Sequence, residues 1–133
     1  MRRLLIGLVC VSCVFNLTAS AQRKVRRETS CGEFTTQAEA NACSRREYEK
    51  GDVEMNDVYR QLMSELGGES DKDQQKLRQA QQLWLQYRDA NCESEASVYE
   101  GGTIRPAIYN LCLASLTRER ATRMKAFLAE VRM

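Results

Sequence analysis

The sequence predicts an all-α domain, a disulfide-stapled antiparallel bundle of three helices. Only one proline and seven glycines occur in 133 residues, too few turn-forming residues for the many turns of an all-β fold. Apolar residues recur every three or four positions in long stretches, which is typical of amphipathic helices. Two glycine pairs separate these stretches, so the connections are short and successive helices should run antiparallel.

The first 21 residues are expected to be a signal peptide and not part of the domain. Met1–Arg3 is a basic region, residues 4–11 are apolar, and Ala-Ser-Ala at 19–21 suits cleavage after Ala21. The apolar run is too short for a stable membrane span. A lipoprotein signal ending at Cys13 is disfavoured, because Cys10 stands three residues earlier where leucine is usual. We therefore expect a periplasmic or secreted protein.

Residues 22–30 form a basic leader with four Arg or Lys side chains at 23–27. From residue 28 onward, 14 basic and 18 acidic residues give a net charge of −4. The favoured interpretation of the leader is a disordered segment. Contact with an anionic surface is the alternative.

The first helix is predicted from Gln37 to Leu66. Its second half places apolar side chains at helical spacing: Met55, Val58, Tyr59, Leu62, Met63 and Leu66. Gly67 and Gly68 should end it, because glycine readily adopts the left-handed conformation common after helices.

The second helix is predicted to follow a side-chain cap at Ser70 or Asp71 and to continue to about Val98. Its expected buried face comprises Leu77, Ala80, Trp84, Tyr87 and Asn91, with Leu83 beside them.

The third helix is predicted after Gly101 and Gly102, with Thr103 as its cap and Pro106 in its first turn, where the missing N–H costs nothing. Its apolar stripe comprises Ile104, Ile108, Leu111, Cys112, Leu116, Met124, Phe127, Leu128 and Val131. The helical domain should therefore span residues 31–131.

Four cysteines remain after the signal peptide: Cys31, Cys43, Cys92 and Cys112. In an oxidising compartment they imply two disulfides. A four-thiolate zinc site is disfavoured, because the spacings are wide. Hairpin register brings the last three cysteines to one end of the bundle, within reach of the first, and leaves the pairing open.

The same register places Asn56 near Gln81 and Asp52 within a turn of Arg88. We interpret these four polar residues as a network that fixes the register of the helices. A half-buried Asp52–Arg88 pair stabilises weakly but is costly to break from one side.

Catalytic chemistry is poorly represented in this sequence. There is no histidine, the usual general base near neutral pH, and no free thiol is expected. A glycosidase-type carboxylate pair at Glu93 and Glu95 is disfavoured, because carboxylates on helices are usually solvated. We expect a non-enzymatic protein with no metal, no cofactor and no nucleic-acid partner.

Two segments, D-V-E-M-N-D-V-Y at residues 52–59 and A-Q-Q-L-W-L-Q-Y-R-D-A-N-C at 80–92, resemble the LprI-type family. These are small exported bacterial domains known as lysozyme inhibitor LprI-like. The cysteine pair Cys31 and Cys43, the Gly101-Gly102-Thr103 loop, Tyr109-x-x-Cys112 and Thr117-x-x-Arg120 extend the resemblance over about residues 31–128.

This sequence departs from the family at Met55, which stands where leucine is usual and fills a similar volume. The family's namesake is also a lipoprotein, whereas this chain is expected to be freely soluble. The resemblance implies a helical, disulfide-bonded domain, and it makes a lysozyme the leading extracytoplasmic partner.

One loop is the best candidate for partner binding: Tyr99, Glu100, Gly101, Gly102, Thr103 and Ile104. Its aromatic, acidic and hydroxyl groups can enter a glycan cleft, although Tyr99 and Ile104 could instead close the end of the bundle. The acidic domain should also attract a cationic lysozyme. The leading hypothesis is thus an exported inhibitor of a lysozyme or related cell-wall hydrolase. A non-enzymatic envelope adaptor that docks by a helix face or by the basic leader is the alternative, and the oligomeric state stays open.

Overall fold

The computed structural model describes residues 31, 36–67 and 71–133. Within them the chain forms three helices and no strand: α1 (Gln37–Glu65), α2 (Lys72–Ser97) and α3 (Arg105–Val131). The all-α prediction is confirmed. The expected signal peptide and basic leader lie outside the described residues. Among the helices that are described, none is both long and apolar enough to cross a membrane.

The helix starts differ in how they are capped. At the start of α1, the Thr36 hydroxyl accepts a hydrogen bond from the Glu39 N–H at 3.2 Å, which satisfies one of the free amide groups of the first turn. Asp71 precedes α2, as predicted, but its side chain makes no capping hydrogen bond. The prediction of Thr103 as the cap of α3 was wrong. Ile104 occupies the cap position, and α3 begins without a side-chain cap.

The helix α3 is the centre of the fold, because α1 and α2 both pack along it and touch each other much less. Successive helices are antiparallel, as predicted. The first and third helices consequently run parallel: Ser44 meets Asn110 near their starts, and Glu65 meets Arg132 near their ends. The principal interface therefore joins two helices that are far apart in sequence.

The main core lies among all three helices, away from the disulfides. Its buried members are Met55, Val58, Leu62, Leu77, Ala121, Met124 and Leu128. Beyond it, α1 and α3 approach closely at Gly51, where an added Cβ would lie 3.4 Å from Arg118 Cγ and 3.7 Å from Thr117 Cγ2. Small residues on α3, among them Ala114, allow this approach.

The predicted buried face of α2 was wrong in part. Ala80, Leu83 and Tyr87 are exposed, and the buried positions are Leu77, Gln81, Arg88, Cys92 and Ala96. Two polar side chains thus take the inner positions, because partners on the other helices satisfy them there. The stripe of α3 also holds two partly exposed members, Ile104 and Phe127.

Both expected disulfides are present. Cys31 pairs with Cys43 on α1, and Cys92 on α2 pairs with Cys112 on α3, with Cα–Cα distances of 5.9 and 5.5 Å. The two bridges join cysteines 12 and 20 residues apart, so each should stabilise the fold by about 3 kcal/mol through the unfolded chain. The Cys92–Cys112 bridge lies in a second small core with Leu113.

Candidate partner-binding site

The connection between α2 and α3 is a tight, ordered turn that presents apolar side chains outward. The Tyr99 N–H donates to the Ala96 carbonyl and the Gly102 N–H donates to the Tyr99 carbonyl, both at 2.9 Å. Gly101 has a φ of 75°, a conformation that other residues adopt only with strain. Val98 is 80% exposed, Tyr99 42% and Ile104 40%. The loop therefore presents a small apolar surface to solvent.

Ion pairs bridge the two ends of this loop. Arg105 Nε lies 2.8 Å from a Glu100 carboxylate oxygen, and its Nη2 group donates to Glu93. Residues 88–105 carry four carboxylates and two guanidinium groups, a net charge of −2. This segment is thus mildly acidic, and Arg105 neutralises part of the charge beside the turn.

The start of α1 supports the loop from its other side. The Asn41 side chain donates to the Thr103 carbonyl at 3.2 Å and accepts from Gln37 at 3.2 Å. Asn110 donates to the Ser44 hydroxyl at 3.4 Å. Since Cys43 lies between Asn41 and Ser44, the Cys31–Cys43 bridge is fixed next to the loop.

Of the four predicted network residues, the structure brings Asp52, Asn56 and Arg88 together. Arg88 lies 3.8 Å from Asp52 and 2.8 Å from Asp89, and Asn56 donates to Asp52 at 2.9 Å. Gln81 is elsewhere: its amide donates to Met55 Sδ at 3.4 Å, and its oxygen accepts from Arg120 at 3.0 Å.

Arg88 is the centre of this polar cluster and is only 6% exposed. Its guanidinium lies 5.4 Å from the ring centroid of Tyr48 and 5.3 Å from that of Trp84, close enough for cation–π attraction. It also donates to the Thr117 hydroxyl at 3.5 Å. One arginine therefore connects all three helices.

Above this cluster lies a surface cavity of about 480 Å³, which the sequence does not predict. Its lining includes Tyr48, Arg88, Asp89, Tyr109, Asn110 and Leu113. Burial raises the pKa of Tyr48, an effect that Arg88 opposes and that Asp52 and Asp89 reinforce. Because these residues come from three helices, no local pattern in the sequence announces the cavity.

The acidic side chains near the loop have partners within the protein. Glu93 and Glu95 have separate partners, since Glu93 pairs with Arg105 and Glu95 accepts from Asn91 at 3.1 Å. Over the part of the chain that the structure describes, no group of three or more acidic or cysteine side chains is placed to hold a metal ion.

Comparison with known proteins places the chain in a family. The family model described as lysozyme inhibitor LprI matches residues 29–124, a stretch that includes all four disulfide cysteines and the exposed loop. An uncharacterized protein, R02472 of Rhizobium meliloti (strain 1021), is 30% identical over 109 residues, which cover 74% of this chain and 78% of the relative. No solved structure matches. The chain therefore belongs to the LprI lysozyme inhibitor family.

Proposed function

We propose that this protein is exported and inhibits a lysozyme or a related cell-wall hydrolase by inserting the loop of residues 98–104 into the substrate cleft. Family membership supports the class of target. The observation that carries the proposal is the exposure of Val98, Tyr99 and Ile104 on one tight turn. Exposed aromatic and aliphatic side chains are typical anchors of protein interfaces.

The chemistry of the loop suits a glycan cleft. Such a cleft accommodates flat sugar rings and contains a pair of carboxyl groups that cleave the glycosidic bond. The Tyr99 ring is flat and apolar with a hydroxyl at its tip, so it can occupy a sugar subsite and still donate a hydrogen bond. Arg105 lies beside the turn and offsets the charge of Glu100 there.

The acidic charge near the loop and the hydrogen bonds that hold the loop also favour binding to such a cleft. The carboxylates of residues 89–105 should steer the loop toward a cationic enzyme and raise the association rate. The turn hydrogen bonds and the Asn41–Thr103 contact hold the loop in place before binding. A preordered loop loses less conformational entropy on association and so binds more tightly.

The test is a titration of the oxidised protein into a lysozyme assay that follows hydrolysis of cell walls. We expect saturable inhibition, and Tyr99→Ala should weaken it by roughly thirtyfold, the effect of losing an aromatic hot spot worth about 2 kcal/mol. Tyr87→Ala is the matched control, because Tyr87 is an exposed tyrosine on α2.

The proposal fails if the oxidised protein does not inhibit at micromolar concentration. It also fails if Tyr99→Ala and Tyr87→Ala inhibit equally well, since the loop would then not be the contact. Reduction of the disulfides should abolish inhibition together with the native fold.

A second candidate function is that of a non-enzymatic envelope adaptor. The exposed side chains of Leu83 and Tyr87 on α2 favour docking by a helix face, whereas the basic leader lies outside the described residues. Recovery of envelope components with the protein, lost in Leu83→Asp and kept in Tyr99→Ala, would support this function over the first.

A further inference from the structure

A groove between α2 and α3 contains a cation with no carboxylate partner in the described part of the chain. Arg120 donates from Nε to the Gln81 side-chain oxygen at 3.0 Å, and its guanidinium lies 5.7 Å from the ring centroid of Trp84. Arg123, nearly one turn further along α3, brings a second positive charge. Burial, together with the charge of Arg123, lowers the pKa of Arg120.

Arg120 differs from the other inward-facing arginines. Among the described residues, four arginines are buried or partly buried: Arg88, Arg105, Arg118 and Arg120. The first three each pair with at least one carboxylate. Glu119 lines the same groove as Arg120, but its carboxylate accepts a hydrogen bond from the Ser115 hydroxyl at 3.4 Å. A partly desolvated cation without a counter-charge is unfavourable, which suggests that a ligand supplies the charge.

Arg120 lies where two cavities meet. One cavity of about 230 Å³ is lined by Trp84, Tyr87, Leu116, Glu119, Arg120 and Arg123. The other, of about 530 Å³, is lined mainly by the apolar residues Leu66, Leu77, Ala80, Phe127 and Val131, together with Arg120, Asp73 and Lys76. The larger volume lies within the range of small-molecule sites. Arg120 therefore lines both the small cavity and the larger, mainly apolar one, which we call the trough.

We propose that this groove binds an anionic amphiphile, with a carboxylate or phosphate head on Arg120 and Arg123 and an aliphatic chain in the apolar cavity. The guanidinium forms charge-assisted hydrogen bonds to either kind of head. Burial of the chain against Leu77, Phe127 and Val131 adds hydrophobic free energy. A neutral apolar ligand would leave the cation unpaired, and a small anion would leave the trough unfilled.

The first experiment compares decanoate and decyl phosphate with decanol and acetate, all below micellar concentrations at neutral pH. Trp84 is the only tryptophan in the chain, and Arg120 lies over its ring, so its fluorescence should report occupancy. We expect saturable binding of one or both anionic amphiphiles, with decanol and acetate at least tenfold weaker. The ratio of the decanoate and decyl phosphate affinities identifies the preferred head. Equal binding of decanoate, decyl phosphate and decanol, or no saturable binding, would overturn the proposal.

Variants then separate the head site from the trough, with calorimetry as a readout that does not depend on Trp84. Arg120→Gln should weaken binding of the preferred anion roughly ten- to a hundredfold and leave decanol unchanged. Arg60→Gln is the control, since Arg60 is an exposed arginine on α1.

If Arg120→Gln does not fold, a second pair of variants decides. Ala80→Glu places a carboxylate in the trough and should abolish binding, whereas Ala90→Glu makes the same change at another exposed alanine of α2 and should not. Unaltered binding by Ala80→Glu contradicts the proposal. Inhibition of lysozyme should survive Ala80→Glu, so the two sites can fail independently.

Discussion

Two helices pack on α3, and they do so with different chemistry. From α1 come Met55, Val58 and Leu62, each almost fully buried in an apolar core. From α2 come two buried polar side chains, Gln81 and Arg88, together with a disulfide. The second half of α1 therefore packs by filled volume, which many apolar residues can supply. Its first half also buries two polar side chains, Ser44 and Glu47, and Glu47 pairs with Arg118 of α3 at 3.2 Å. The position of α2 depends on specific hydrogen bonds and ion pairs of Gln81 and Arg88, which few other side chains could form.

The sharpest test of this difference compares two leucines. Leu62 is fully buried in the α1–α3 core, and Leu83 on α2 is 58% exposed. Leu62→Ala should lower the free energy of unfolding by about 3 kcal/mol, through lost burial and the cavity left behind. Leu83→Ala should change it by less than about 0.5 kcal/mol. Denaturant unfolding measures both, and comparable losses would contradict the assignment of the core.

Arg88 tests the polar attachment of α2. Arg88→Met should cost about 2 kcal/mol, since it removes the ion pairs with Asp52 and Asp89 and the contacts with two aromatic rings. The loss stays below that of a fully buried pair, because both carboxylates remain partly hydrated.

Arg78→Met is the matched control for that measurement, because Arg78 is an exposed arginine on the same helix. Near-ultraviolet circular dichroism should change in Arg88→Met alone, since Arg88 lies over the Trp84 ring. An unchanged free energy of unfolding in Arg88→Met would mean that α2 is held by the volume of the side chain at position 88 and not by its ion pairs.

Gly51 probes how closely α1 and α3 approach. Gly51→Leu should destabilise the fold by about 1–2 kcal/mol, because the larger side chain must displace Thr117 or Arg118. Gly51→Ala fits at ordinary contact distances, and alanine favours a helix by about 1 kcal/mol over glycine. Thermal unfolding should therefore rank alanine at or above glycine, with leucine below both. The reverse order would mean that the interface has room at this position.

The smallest effect should come from Tyr48, which contacts Arg88 at the junction of α1 and α2. Because burial raises the pKa of Tyr48 in the folded state, the folded chain holds this proton more tightly than the unfolded chain. The resulting stability is complete below the unfolded pKa of about 10 and is lost as the pH rises through the folded value.

Urea unfolding between about pH 9 and 11 should therefore show a decline that is shallower in Tyr48→Phe. An identical pH dependence in the two proteins would show that Tyr48 ionises as it does in the unfolded chain.

The contrast between the helices also explains what the sequence could predict. The bounds of α1 and its apolar stripe followed from local spacing, and the structure begins α1 at Gln37 as expected. The face of α2 was partly mispredicted, because burial of Gln81 and Arg88 depends on Met55, Arg120 and Asp52 on other helices. Hydrophobic periodicity assigns polar residues to the exposed face of a helix, because it does not include hydrogen-bond or ion-pair partners on other helices.

The cysteines and the candidate sites also show which features local sequence can predict and which depend on tertiary contacts. Helix register brought three cysteines to one level, so it left their pairing open, and the structure pairs Cys92 with Cys112. The loop of residues 99–104 was predicted from its glycines and its aromatic residue, and its partner-binding role stays a prediction. The groove at Arg120 could not be predicted, because its lining comes from separate parts of the chain.

The parallel pairing of α1 and α3 has a consequence for how the chain folds. Side-chain hydrogen bonds between these helices join residues 66 to 71 positions apart, since α2 must first return the chain. Folding with such distant contacts is slower than folding of a local helical hairpin. During synthesis, α1 emerges first, and the α3 residues that complete the core around Leu62 follow last. A chain truncated before α3 should consequently be a ready substrate for proteases, and the domain should form only when its last helix has arrived.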